Sequence, residues 1–264
     1  MKAALKSALL ALIAIMVSQE IRADVIVLAA DRWCPYNCGP EDDKPGFMVE
    51  VAQRIFAQAG HTVVYEVVPW RRALKYVHEG TYQGAIAATS NNTKNLQPGL
   101  VFPKNEQARM HNVFFTRTSS TWRYQGIRSL HGQFLGLVTD YGYPAIQPFI
   151  DAHKGDDQVQ FVGGGFAVRT NINKLEKDRV SVVLENEAVF THAARAMGLL
   201  AAFRPAGDDG TPDQINNLYI GFTPASINPK SLEYAQILSD GMDKLRKSGK
   251  LAAILARYEF KDWH

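Results

Sequence analysis

Residues able to grip a small polar molecule stand in this sequence directly after short apolar runs. Asp31, Arg32, Trp33 and Tyr36 follow residues 25–30, Trp70, Arg71 and Arg72 follow 62–68, and Ser90, Asn91 and Asn92 follow 84–89. Thr139, Asp140 and Tyr141 follow 134–138, and Glu185 closes 180–184. Aromatic walls with a few charges suit a zwitterion or a similar polar solute. Trp33 and Tyr36 either stack on such a solute or pack the loop around them, and Trp70 is either a wall or core. An arginine there can fork a carboxylate, but spacing does not decide which of Arg71 and Arg72 faces inward. A carboxylate at the end of an apolar strand is costly unless paired, so Glu185 calls for a ligand or a structural cation. Thr139 to Tyr141 precede a helix, whose first N–H groups together with Thr139 can hold an anion.

Other chemistries lack their residues. The seven histidines are scattered with no His-x-His or His-x-x-x-His pair, and no metal site, nucleophile triad or phosphate loop is present. No cofactor is expected. Cys34 and Cys38 bracket Pro35-Tyr36-Asn37. In an exported chain they read as a disulfide, worth about 1–2 kcal/mol for so small a loop and suited to fixing a local turn.

Export is indicated at the start. Lys2 and Lys6 precede an apolar run over 9–17, and Ile21-Arg22-Ala23 offers a small residue at a cut. The run falls short of the roughly 20 residues that span a bilayer. The segment reads as a signal peptide cleaved between Ala23 and Asp24, with a membrane anchor as the alternative. The whole chain has 29 basic and 26 acidic residues, and without that segment 26 and 25. So balanced a chain gives no reason to expect nucleic acid as a partner.

The elements that must position these residues follow from periodicity. Strand-like 25–30, 62–68 and 84–89 alternate with helices opening at Gly46-Phe47 and at Pro69, a β-α-β-α-β order that argues for a parallel sheet. In such sheets ligands sit beyond the carboxyl ends of the strands, where the residues named above lie. A strand over 112–116 and a polar break at 118–121 follow. The pattern then restarts with strands at 134–138, 159–162 and 180–184, separated by helices over 143–153 and around Val168, Ile172 and Leu175. A helix over 187–197, a loop at 208–212, a strand over 218–222 and a long helix after Pro229 complete the chain.

Trp33-Cys34-Pro35-Tyr36, then Pro45-Gly46-Phe47 opening a helix that ends in Gly60, resemble the start of an extracellular solute-binding protein of family 3, the polar-amino-acid type. Pro69-Trp70-Arg71-Arg72-Ala73-Leu74, Glu79-Gly80, Val101-Phe102-Pro103, Leu135-Gly136-Leu137-Val138, Tyr219-Ile220-Gly221-Phe222 and Leu245-Arg246-Lys247-Ser248-Gly249-Lys250 continue the resemblance in order. The resemblance implies an α/β type II periplasmic-binding-protein fold of two α/β lobes joined by a two-strand hinge. Residues 24–116 and 218–264 would form lobe 1 and residues 117–217 lobe 2. It also implies a periplasmic monomer that closes on a small polar, amino-acid-like ligand, and an ABC permease or a membrane sensor as partner.

Among the site residues, the resemblance favours Arg72 on the ligand carboxylate and Glu185 on its amine. One departure stands out. Relatives of the amino-acid type carry Thr-x-x-Arg for the α-carboxylate, whereas this chain has Ser90-Asn91-Asn92-Thr93-Lys94-Asn95-Leu96. Two other functions remain open. One is an enzyme on the same scaffold, like the dehydratases of cyclohexadienyl amino acids, with Glu185 or Asp31 as acid or base. The other is an accessory interaction protein without a ligand.

Overall fold

The computed structural model describes residues 23–90, 99–212 and 216–264. The expected signal peptide therefore lies, but for Ala23, outside the described residues. In chain order the strands are β1 (Val25–Ala30), β2 (Thr62–Val67), β3 (Gly84–Ala88), β4 (Ala108–Arg109), β5 (Asn112–Arg117), β6 (Leu135–Val138), β7 (Val159–Val162), β8 (Val182–Asn186), β9 (Phe203–Asp208) and β10 (Asn217–Phe222). The helices are α1 (Phe47–Gln58), α2 (Trp70–His78), α3 (Gln147–Ala152), α4 (Ala167–Glu176), α5 (Glu187–Ala196), α6 (Lys230–Lys247) and α7 (Lys250–Ala256).

The strands form two five-stranded sheets, β2-β1-β3-β10-β4 and β7-β6-β8-β5-β9. Each has a parallel part, β2-β1-β3 and β7-β6-β8, built by β-α-β crossovers. In each, one strand from a chain crossing joins antiparallel: β10 beside β3, and β5 beside β8. The sheets are thus mixed. Strand β5, whose residues 112–116 are expected in lobe 1, pairs with β8 and β9 of the second sheet. The first crossing consequently falls between Arg109 and Asn112, and the second between Asp208 and Asn217.

Helix α1 buries Phe47, Val51 and Ile55 with Met48, Ala52 and Phe56, the stripe that its i, i+4, i+8 spacing requires. It opens at Gly46, at φ 112°, where a Cβ would strike the backbone of Tyr36 and Asn37. Only glycine allows helix and disulfide loop to come so close. Helix α6 returns the C-terminal segment to the first lobe and buries Tyr234, Leu238 and Leu245 in the same apolar cluster as α1. Separate clusters around Leu137 and Phe190 fill the second lobe. No helix among the described residues is long and apolar enough to cross a membrane.

Candidate functional site

The sharp turn after β1 is built by the disulfide loop. Cys34 and Cys38 are bonded, with a Cα–Cα distance of 4.7 Å. Across the loop Trp33 N–H donates to the Asn37 carbonyl at 2.7 Å. This pairing holds Trp33 beside Asp31 and points both at the second lobe. The Trp33 indole N–H donates to Glu185 Oε1 at 3.1 Å, and the Tyr141 hydroxyl donates to Asp31 Oδ2 at 2.7 Å. Both bonds join the lobes. A third link, Arg71 Nε to Asp140 Oδ1 at 3.1 Å, lies at the surface.

These contacts flank a cavity of about 80 Å³, lined among others by Asp31, Trp33, Asn37, Trp70, Tyr141 and Glu185. A larger open groove of about 990 Å³ shares Asp31 and Tyr141 with it. The Tyr141–Asp31 bond therefore stands between groove and cavity. The cavity lies past the ends of β1, β3 and β6 and at the end of β8, where strand polarity alone would seat a ligand.

Burial dominates the electrostatics. Asp31 is pushed up to about 6 by desolvation, against the pull of its Tyr141 hydrogen bond. Glu185, 5% exposed, is pushed up to about 7 by desolvation, with the Asn186 N–H and Trp33 indole opposing and the Asp31 charge adding. Burial also raises the Tyr141 and Tyr143 phenols well above their ordinary value, which keeps them neutral.

Asp31, Trp33, Trp70, Tyr141 and Glu185, named from the sequence, meet around this cavity. The other named residues stand elsewhere. Tyr36 is core: its ring stacks on Trp33 at 4.6 Å and contacts Phe47 and Phe260, and its hydroxyl donates to the Arg109 carbonyl. Arg72 is exposed and does not line the cavity; it sits near Tyr82, whose phenol burial raises and Arg72 lowers. The first turn of α2 instead turns Arg71 toward the second lobe. Thr139 is exposed beside Gly163, and Ser90 is half-buried outside the lining. Asn91 lies outside the described residues.

Sequence reasoning missed Asn37 and Asn112, both in the lining. Asn37 is fully buried; its amide N–H groups donate to the Asp31 carbonyl at 2.5 Å and to the Tyr65 hydroxyl at 3.4 Å, while its Oδ1 has no partner among the described residues. A polar residue inside so short a disulfide loop at a strand end was the available signal. The grouping of Cys34, Cys38 and Asp42 as possible metal ligands has both sulfurs engaged in the disulfide.

Two sheets of this topology, crossed twice and enclosing a cavity between them, define a two-lobed binding protein of the type II periplasmic class. The chain belongs to the bacterial extracellular solute-binding proteins, family 3, whose model matches residues 25–262. Among curated proteins, none matches this sequence. Similar solved structures include an ancestral arginine-binding protein bound to arginine, with TM-score 0.69 and 14% identity, covering 90% of this chain and 99% of that one. A protein solved in a study of glutathione import through GshT and the cystine ABC importer TcyBC of Streptococcus mutans gives TM-score 0.72 and 17% identity, covering 89% and 95%. A histidine kinase sensor domain with similarity to periplasmic binding proteins gives 0.71 and 18%, covering 90% and 96%. At these identities the likeness is one of fold.

Proposed function

We propose that the protein is a periplasmic solute-binding protein that captures a small polar solute between its lobes and delivers it to an ABC permease or a membrane sensor. The observation that carries this reading is the interlobe cavity, flanked by Tyr141 on Asp31 and by Trp33 on Glu185. Lobes joined through binding residues close when those residues engage. Similar folds in a protein solved in a study of an ABC importer and in a kinase sensor domain support delivery to either kind of partner. Export by the N-terminal segment, with cleavage after Ala23, belongs to the same reading. The first lobe comprises 24–111 and 217–264, the second 112–208.

Thermal unfolding against a panel of amino acids, amines, dicarboxylates and sugars tests it. A ligand at about 100 times its Kd adds about 2.7 kcal/mol of stability. A shift with a solute that mass spectrometry returns intact is the expected result. No shift across the panel refutes capture and favours an accessory role. A second reading, an enzyme on this scaffold, rests on Glu185 at about 7 and Asp31 at about 6, near the range useful for acid–base work. Consumption of the shifting solute would establish it.

A further inference from the structure

We infer that the solute held between Asp31 and Glu185 is a small organic cation that carries no carboxylate. This rests on the solute-binding reading and narrows it to a substrate class.

The charge of the lining points one way. Its charged side chains are Asp31, Asp140 and Glu185. Arg71 pairs with Asp140 from outside the cavity, and among the described residues no cation pairs with Asp31 or Glu185. No lysine, arginine or histidine among the described residues lines the space. A ligand carboxylate placed there would be desolvated beside two buried acids and would meet no cationic fork among the described residues. An ammonium group would meet both carboxylates.

The hydrogen-bond account agrees independently. Asn37 is fully buried in the lining, and among the described residues its Oδ1 is an acceptor without a donor. Leaving a buried acceptor unmet is costly, so this wall favours a donor over a further acceptor. Both hydrogen bonds accepted by Glu185 end on Oε1, from the Trp33 indole and the Asn186 N–H. Trp33, Trp70, Tyr141 and Tyr143 are the aromatic members of the lining, with one face of Trp33 already covered by Tyr36. Burial of the two acids, which raises both, is the penalty that a bound cation would relieve. At about 80 Å³ the space suits a small head group.

Matched pairs differing by a carboxylate test this on the protein purified after export from the full 264-residue chain: putrescine against ornithine, agmatine against arginine, and tetramethylammonium against glycine betaine, by calorimetric titration. The expected result is that in at least one pair the carboxylate-free member binds at least about tenfold more tightly, about 1.4 kcal/mol. Glu185→Gln and Asp31→Asn, each checked for wild-type circular dichroism, should each weaken it by about tenfold or more. Tighter binding of the carboxylate-bearing members, or binding only of anions or sugars, overturns the cation inference and leaves solute capture standing. No binding by any solute overturns both. Retained amine affinity in both variants also overturns it, because the cation would then sit elsewhere.

Discussion

The indole N–H of Trp33 reaches 3.1 Å across the two lobes to Oε1 of Glu185, and the same oxygen accepts the Asn186 N–H at 2.8 Å. One carboxylate oxygen thus ties the disulfide loop of the first lobe to β8 of the second. Trp33→Phe keeps most of the ring but removes the donor, so it should destabilise the protein by about 1–3 kcal/mol. Glu185→Gln keeps an acceptor and removes a buried charge, so it should cost less at pH 7 or stabilise. Denaturant unfolding of both single variants and the double variant gives the coupling.

Asp31 and Glu185 make stability depend on pH with a definite sign. Both folded-state values, about 6 and about 7, lie above the ordinary 3.8 and 4.5. Their stabilising contribution is therefore complete below the ordinary values and lost as pH rises through about 6 and 7. At about 1.4 kcal/mol per unit, each contributes about 3 kcal/mol. The groups facing them are Tyr141, Trp33, Asn186 and the Arg71–Asp140 pair. His192, held below its ordinary value by burial, acts in the opposite sense near neutrality. The ligand-free protein should lose melting temperature between about pH 4 and 7, the window between the ordinary and folded values of these two acids, and the loss should vanish in the Asp31→Asn, Glu185→Gln double variant.

The two neighbouring arginines should behave differently but modestly. Arg71 bridges to Asp140 with its side chain 72% exposed, a setting in which ion pairs are worth about 0–1 kcal/mol. Arg71→Ala should change ligand affinity by less than about tenfold, and the change should shrink in high salt. Arg72→Ala, whose side chain does not reach the cavity, should leave affinity unaltered. A large loss from Arg72→Ala alone would return that residue to the site.

Removing the disulfide with Cys34→Ser and Cys38→Ser should cost about 1–2 kcal/mol of stability, as befits a short loop. Affinity should fall more steeply than stability, since Trp33, Asp31 and Asn37 all depend on that turn. Calorimetric titration beside denaturant unfolding separates the two effects.

Much of this was written in local pattern. The apolar stripe of α1, the βαβ order and the strand ends carrying Asp31, Trp33, Trp70 and Tyr141 follow from period and polarity alone. β9 escaped because Phe203–Asp208 contains Pro205 and Gly207, which disfavour strands; it is tolerated at the sheet edge beside β5. The placement of β5 was illegible because pairing partners distant in sequence leave no local trace. Arg71 and Arg72 were indistinguishable because adjacent positions on a first turn differ only in which neighbour they meet.

The way the chain crosses twice also sets an order of assembly. The second sheet is drawn from the continuous stretch 112–208, whereas β10 lies between β3 and β4 of the first. A ribosome delivering the chain from its N-terminus cannot supply that inner strand until nearly the end. The N-terminal half-lobe must then wait, incompletely paired, while the other lobe is already whole. Until β10 arrives, β3 presents an unpaired edge, which makes it the segment of the first lobe most open to wrong pairing.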